Sequence, residues 1–186
     1  MNLEQAKEIM GDEFYRDANF LNSIIDQLNL PKDSKILDVG TGRGHMAIIL
    51  ALQGYHLITG EPEGTFWADW ESSAKKVNVD HMITFTPLNA EKLPFESSNF
   101  NAVFLYATFH HIGNKTSAIV ELMRVLKNNG VLVIIEFTDD GVELLRKRWK
   151  GHPDAVDPRN YSKDLNLKVK VIESEYLNAY VFKKQQ

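Results

Sequence analysis

The residues best suited to chemistry open with Ile36-Leu37-Asp38-Val39-Gly40-Thr41-Gly42-Arg43-Gly44. An acid stands inside a short apolar run, and three glycines then alternate with other residues. Such glycines let the backbone turn sharply and lie against a ligand with no side chain between. If a helix follows, the exposed amides at its start favour polar or negative ligand groups. Glu61 stands about twenty residues on, the spacing at which an acid meets the hydroxyls of a nucleotide ribose. The turn is therefore read as a nucleotide-like cofactor site.

Two further groups are candidates. His110-His111 follows the run Ala102 to Tyr106, and a histidine there can take a proton from a substrate. His152, Asp154 and Asp157 lie in a loop of oxygen and imidazole donors that could reach a metal together with His110 or His111. The prolines at 153 and 158 favour a stiffened loop instead, and no metal is assigned. There are no cysteines, which excludes disulfides, thiolate zinc sites and cysteine nucleophiles.

These residues need a frame. Residues 3 to 28 read as one or two amphipathic helices, with Leu21, Ile24, Ile25 and Leu28 at helical spacing. Strands and helices then alternate. Strands are expected at Ile36 to Val39, Tyr55 to Thr59, Met82 to Thr86, Ala102 to Tyr106 and Val131 to Phe137. Helices are expected at Met46 to Leu52, Phe66 to Val77, Ser117 to Leu126 and Val142 to Trp149, with a loop from Gly151 to Asn160. Asn129-Gly130 reads as a left-handed end to the third of those helices. Unalternating apolar runs such as Val131 to Phe137 mean strands covered on both faces, as in a parallel sheet. Near the end, Val169 to Glu173 and Tyr176 to Phe182 flank the short connection Ser174-Glu175, which implies antiparallel pairing. The expected fold is α/β: a doubly wound, mostly parallel, seven-stranded, Rossmann-like sheet with an antiparallel C-terminal strand.

Asp-x-Gly-x-Gly-x-Gly after a strand resembles motif I of class I S-adenosylmethionine (SAM)-dependent methyltransferases. Other segments continue the likeness over roughly residues 30 to 140. Glu61 falls at the family's ribose acid. Asn89-Ala90-Glu91-Lys92-Leu93-Pro94-Phe95 is similar to its D-A-x-x-L-P-F segment. Ser98-Asn99-Phe100-Asn101 is similar to S-F-D, and Leu122 to Gly130 to the R-V-L-K-P-G-G turn. The nearest subgroup resembles the small-molecule enzymes of ubiquinone and menaquinone biosynthesis. The resemblance implies SAM as cofactor, held by Asp38, Gly40, Thr41, Gly42, Gly44, Glu61, Pro62, Asn89, Ala90 and Tyr106, with His110 and His111 as catalytic candidates. Asn89 replaces an aspartate that accepts a bond from the adenine amino group, and an asparagine carbonyl can accept it too. Trp67 and Trp70 are read as adenine-packing or ordinary packing aromatics.

The implied activity is methyl transfer to a small-molecule acceptor by in-line displacement. The chain is read as a single domain, 1–186, in which residues 1–30, with Phe14, Tyr15 and Phe20, form a helical lid. The net charge of −4 and pI near 5.9 argue against a nucleic-acid partner. The residues after the fourth strand, Leu105-Tyr106-Ala107-Thr108, also lack an Asn-Pro-Pro-Tyr-type stretch. The basic run Arg146 to Lys150 reads as a solvated helix face. No signal peptide or membrane span is legible, so a cytoplasmic location is expected. Two rival readings are a nucleotide-dependent oxidoreductase and a non-catalytic SAM-binding accessory protein.

Overall fold

A computed structural model describes residues 1–65 and 68–185. Trp67, and Phe66 where a helix was expected to begin, lie outside the described residues. The chain divides into two compact units, Met1–Leu88 and Asn89–Gln186.

The first unit begins with α1 (Leu3–Met10) and α2 (Asp12–Leu28). Asn2 and Gln5 close a capping box on α1, satisfying amides that the first turn leaves free. Gly11, at φ 87° and ψ 178°, separates the two helices. β1 (Ile36–Val39) is buried at every position. α3 (His45–Leu52) is buried from His45 to Ala51, the pattern of a helix that is apolar all round. β2 (Leu57–Gly60), α4 (Trp70–Lys76) and β3 (Ile83–Phe85) complete the unit. β1 pairs parallel with β2, and β2 with β3.

The second unit contains β4 (Phe100–Tyr106), a 3-10 turn (Phe109–His111) and α5 (Lys115–Val125). β5 (Leu126–Phe137) and α6 (Asp139–Arg146) follow. After the 3-10 turn Pro158–Tyr161 come β6 (Leu167–Glu173) and β7 (Leu177–Lys184). β4 and β5 are parallel, and β7 runs antiparallel to both β5 and β6. The sheet order is β3-β2-β1-β4-β5-β7-β6. It is the doubly wound, mostly parallel sheet expected, with its antiparallel strand next to the edge.

Helix α4 begins at Trp70, later than expected, where the Asp69 side chain caps it by accepting from the Ser72 N–H. Three further expectations need correction. Asn129-Gly130 does not cap a helix, because α5 ends at Val125 and the chain enters extended backbone at Leu126. Leu126 faces Phe100 while Val131 faces Ala102, so residues 127–130 form an irregularity in the ladder. Gly130 serves close packing instead: a Cβ there would lie 3.2 Å from the Asn101 carbonyl and 2.9 Å from Leu126 Cδ2. Second, α6 starts at Asp139, three residues before Val142, because Thr138 caps it by accepting from the Gly141 N–H. It ends at Arg146, short of Trp149. Third, the 151–160 loop contains a 3-10 turn begun by Pro158 and capped by Asp157.

Gly60 ends β2 where no side chain fits. A Cβ there would overlap the Thr86 carbonyl oxygen and lie 2.8 Å from Leu88 Cγ. Gly60→Ala should therefore cost at least the roughly 1–3 kcal/mol of an overpacked site. A urea midpoint equal to the parent's would refute the tight fit.

Candidate functional site

In the first unit the glycine turn joins β1 to α3 with Gly40, Gly42 and Gly44 all at positive φ. Its shape is fixed by β2. The amides of Gly40 and Thr41 donate to the Gly60 carbonyl at 2.9 and 3.3 Å. The Gly42 N–H donates to Glu61 Oε1 at 2.6 Å. Beneath them Thr59 Oγ1 donates to Asp38 Oδ2, and the Thr41 and Thr59 hydroxyls bond each other, each contact 2.8 Å. The residues Asp38, Gly40, Thr41, Gly42, Gly44 and Glu61 thus come together, with Pro62 next in the chain.

A pocket of about 300 Å³ opens on this turn, at the lower end of the usual range for small-ligand sites. Thr41, Gly42, Glu61, Thr65, Trp70 and Phe85 are among its walls. Trp70 and Phe85 stack at 6.0 Å with 16° between planes, so Trp70 both packs and lines the pocket. Phe85 and Thr65 were not singled out from the sequence. Phe85 was findable as the last residue of a parallel strand, since ligands gather at such carboxyl ends.

Electrostatics mark the same corner. Burial pushes the Asp38 carboxyl up to about 7, and the nearby Glu61 charge adds to this while the Thr59 hydrogen bond opposes it. Asp38 Oδ1 is buried with no hydrogen-bond partner among the described residues. Burial also raises Glu61, against the pull of the Gly42 N–H. His45, at the start of α3, is held down to about 4 mainly by burial. It packs edge-on against Phe14 at 5.3 Å. Phe14 is buried, Phe20 half-buried and Tyr15 exposed beneath Lys7.

The other candidates lie in the second unit. Asn89 is exposed, and its Oδ1 accepts from the Glu91 N–H at 2.8 Å. Ala90 is buried, and Tyr106 is half-buried with its ring 6.4 Å from that of Phe137. His110 is buried, with Nδ1 2.6 Å from Glu136 Oε2. Its ring lies 4.0 Å from His111 and 4.9 Å from His152. Burial lowers the pKa of His111 and of His152. Asp154 pairs with Arg146 and Asp157 with Arg159. The loop thus brings His152 to His110 while its carboxylates are engaged by arginines. No group of three or more metal-ligating side chains is gathered among the described residues.

Glu136 was missed from the sequence. It lies in a run read as wholly apolar, and its signal is that it is the one ionisable residue between Val131 and Phe137. In a strand buried on both faces, such a residue must find partners.

Comparisons with known proteins bear on the family and the fold. A family model described as "Methyltransferase domain" matches residues 37–134. The demethylmenaquinone methyltransferase of Clavibacter sepedonicus is 30% identical over 125 residues, covering 67% of this chain and 49% of that protein. The ubiquinone/menaquinone biosynthesis C-methyltransferase UbiE of Agrobacterium fabrum is 33% identical over 145 residues, covering 74% and 56%. The chain spans about half the length of these curated relatives. The crystal structure of a SAM-dependent methyltransferase from Aquifex aeolicus superposes with TM-score 0.70 at 16% identity, covering 98% of both chains. The [4+2]-cyclase SpnF superposes with TM-score 0.72 at 16% identity, covering 91% of this chain and 82% of that one. Likeness at such identities establishes the Rossmann-like fold and leaves the reaction to the site. No helix among the described residues is long and apolar enough to cross a membrane.

The Asp38 environment has a pH signature. Its folded pKa of about 7 exceeds the unfolded value of roughly 4. The native state therefore holds the proton longer, and ionising Asp38 costs stability as pH rises from about 4 to 7, by up to ~4 kcal/mol. Asp38→Asn should flatten the stability–pH curve across that window in chemical denaturation. An unchanged slope would place the carboxyl in a wetter setting than the one described.

Proposed function

Because this chain belongs to the methyltransferase domain family, we propose that it binds SAM at the glycine turn and transfers the methyl group to a small-molecule acceptor. The observation that carries the reading is the joint placement of Gly42 and Glu61 at one pocket. SAM supplies, when bound, a methyl already activated by a sulfonium sulfur, so the protein's task is alignment.

The residues present fit that cofactor. Gly42 faces open space, with nothing within 4 Å of where its Cβ would be, so a ligand can approach the backbone. The Glu61 carboxylate can accept from vicinal ribose hydroxyls. Stacked Trp70 and Phe85 provide an aromatic wall of the kind that packs on a base. The orphaned Asp38 Oδ1 is an acceptor for a donor group of the ligand or for a bridging water. Acids at 38 and 61 also suit a cationic cofactor.

Asn89, Ala90 and Tyr106 complete the proposed cofactor set, and α1 with α2 the proposed lid. For the acceptor we propose a quinol-type aromatic, on the strength of the Clavibacter and Agrobacterium relatives' names. The acidic balance of the chain favours such a compound over a polyanion. Neither the oxidoreductase nor the non-catalytic reading gains support from the family match.

Glu61→Ala should weaken SAM binding ten- to a hundredfold, as expected for about 1.5–3 kcal/mol of charge-assisted hydrogen bonding. Gly42→Val, with a branched side chain directed into the open space, should abolish it. Calorimetric affinities equal to the parent's in both variants would remove the assignment.

A further inference from the structure

We propose that Glu136 and His110 form a proton-accepting dyad, with His110 Nε2 taking the proton that the methyl acceptor loses. The proposal rests on the methyl-transfer reading and deepens it. Four donors converge on the Glu136 carboxylate. Oε1 accepts from the backbone N–H groups of Phe109 at 2.7 Å, Thr108 at 3.1 Å and, more weakly, His110 at 3.4 Å. Oε2 faces His110 Nδ1 at 2.6 Å. The glutamate therefore shapes the turn after β4 and orients the ring with one side chain. A carboxylate only accepts, so Nδ1 is the protonated nitrogen and Nε2 bears the lone pair.

Nε2 is where the arrangement is incomplete. Both side chains are 2% exposed, yet Nε2 has no hydrogen-bond partner among the described residues. An orphaned acceptor inside a protein is costly and asks for a donor that the chain itself does not supply. Its place also points to a ligand, because the 3-10 turn follows the carboxyl end of β4, where open α/β sheets bind their substrates.

The chemistry balances. Methylating an O–H, N–H or C–H acceptor would form a bond to the methyl carbon and break two others: the methyl–sulfur bond, whose electron pair returns to sulfur as the neutral thioether leaves, and the acceptor's bond to hydrogen. The electron pair of that bond stays with the acceptor, and the proton passes to Nε2. The imidazolium that results is stabilised by the Glu136 carboxylate, whose Oε2 lies 2.6 Å from Nδ1, as in other carboxylate–histidine pairs. His110 is then the catalytic residue and Glu136 a positioning residue. His111 and His152 stand against the same ring, and burial favours their neutral forms. Lys115 and Arg146 are the nearby cations, acting on His111 and His152 respectively. Access to Nε2 requires a neighbouring ring to turn aside. The His152 ring is held by Nδ1 to the Pro153 carbonyl at 2.9 Å and packs edge-on against Phe137 at 5.8 Å.

Imidazole nitrogen NMR on the parent protein tests the tautomer without any substrate. The expected result is a neutral His110 protonated at Nδ1 and bare at Nε2; the opposite tautomer overturns the proposal. Turnover is then measured with SAM and reduced demethylmenaquinone as the probe acceptor. Glu136→Gln keeps shape but offers an amide N–H to Nδ1, favouring the wrong tautomer, and His110→Gln removes the base. Each should lower kcat by about 10²–10⁴-fold with SAM affinity unchanged, and should flatten the fall in rate toward acid pH that the parent is expected to show. Parent-like rates and pH profiles in both variants would overturn the dyad. Failure of the parent to bind SAM by calorimetry would instead overturn the methyl-transfer reading, while the NMR result still judges the tautomer.

Discussion

The hydrogen bond from the Gly42 N–H to the Glu61 carboxylate is the interaction on which the proposed cofactor site depends. It ties the apex of the turn after β1 to the residue that follows β2, at 2.6 Å. Two carbonyl contacts from Gly60 hold the base of the same turn. Gly60 can supply them because it carries no side chain against the Thr86 carbonyl. The parallel pairing of β1, β2 and β3 thus has a local chemical consequence: it brings a carboxylate to a half-buried glycine backbone that lines the pocket. The Asp38–Thr59–Thr41 chain below it buries an acid that the strand could more cheaply have replaced with an apolar residue, which is consistent with a role beyond packing.

The division of labour follows from what the proposed cofactor brings. A methyl group on a sulfonium needs no nucleophilic side chain, and the pocket of the first unit presents backbone, a carboxylate and aromatic walls. Proton handling is a separate problem, for which the dyad proposed in the second unit is suited. There a single buried glutamate accepts from the backbone of a 3-10 turn and faces a ring nitrogen of His110. The occurrence of a cyclase among structures of similar shape underlines that such side chains, rather than the sheet, decide the reaction.

Legibility in the sequence tracked how local each signal is. Ile36–Val39 was found to the residue, because a short, largely apolar run bounded by a Pro-Lys-Asp-Ser break and a glycine turn marks both of its ends. The glycine turn and Glu61 were legible through spacing alone, since β2 and its partners fix that spacing. α5's ending was misread because Asn-Gly normally signals a left-handed cap, whereas Gly130 answers to the close approach of Asn101 across the sheet. Helix α6 was misplaced by three residues because the Thr138 cap was overlooked. Glu136 escaped because both faces of β5 are covered, so periodicity could not set it apart, and its partners come from 26 to 28 residues earlier in the chain. The pairing of Asp154 and Asp157 with arginines was likewise invisible in a list of oxygen and nitrogen donors.

The central claim is that the Gly42–Glu61 corner receives SAM, and amide NMR of glycine-labelled protein tests it most directly. On titration with SAM, the amides of Gly40, Gly42 and Gly44 should shift saturably as the ligand displaces or reshapes the bond to Glu61, while NAD at equal concentration leaves them in place. Glycine amides that stay fixed under saturating SAM, or that respond to NAD instead, would contradict the account.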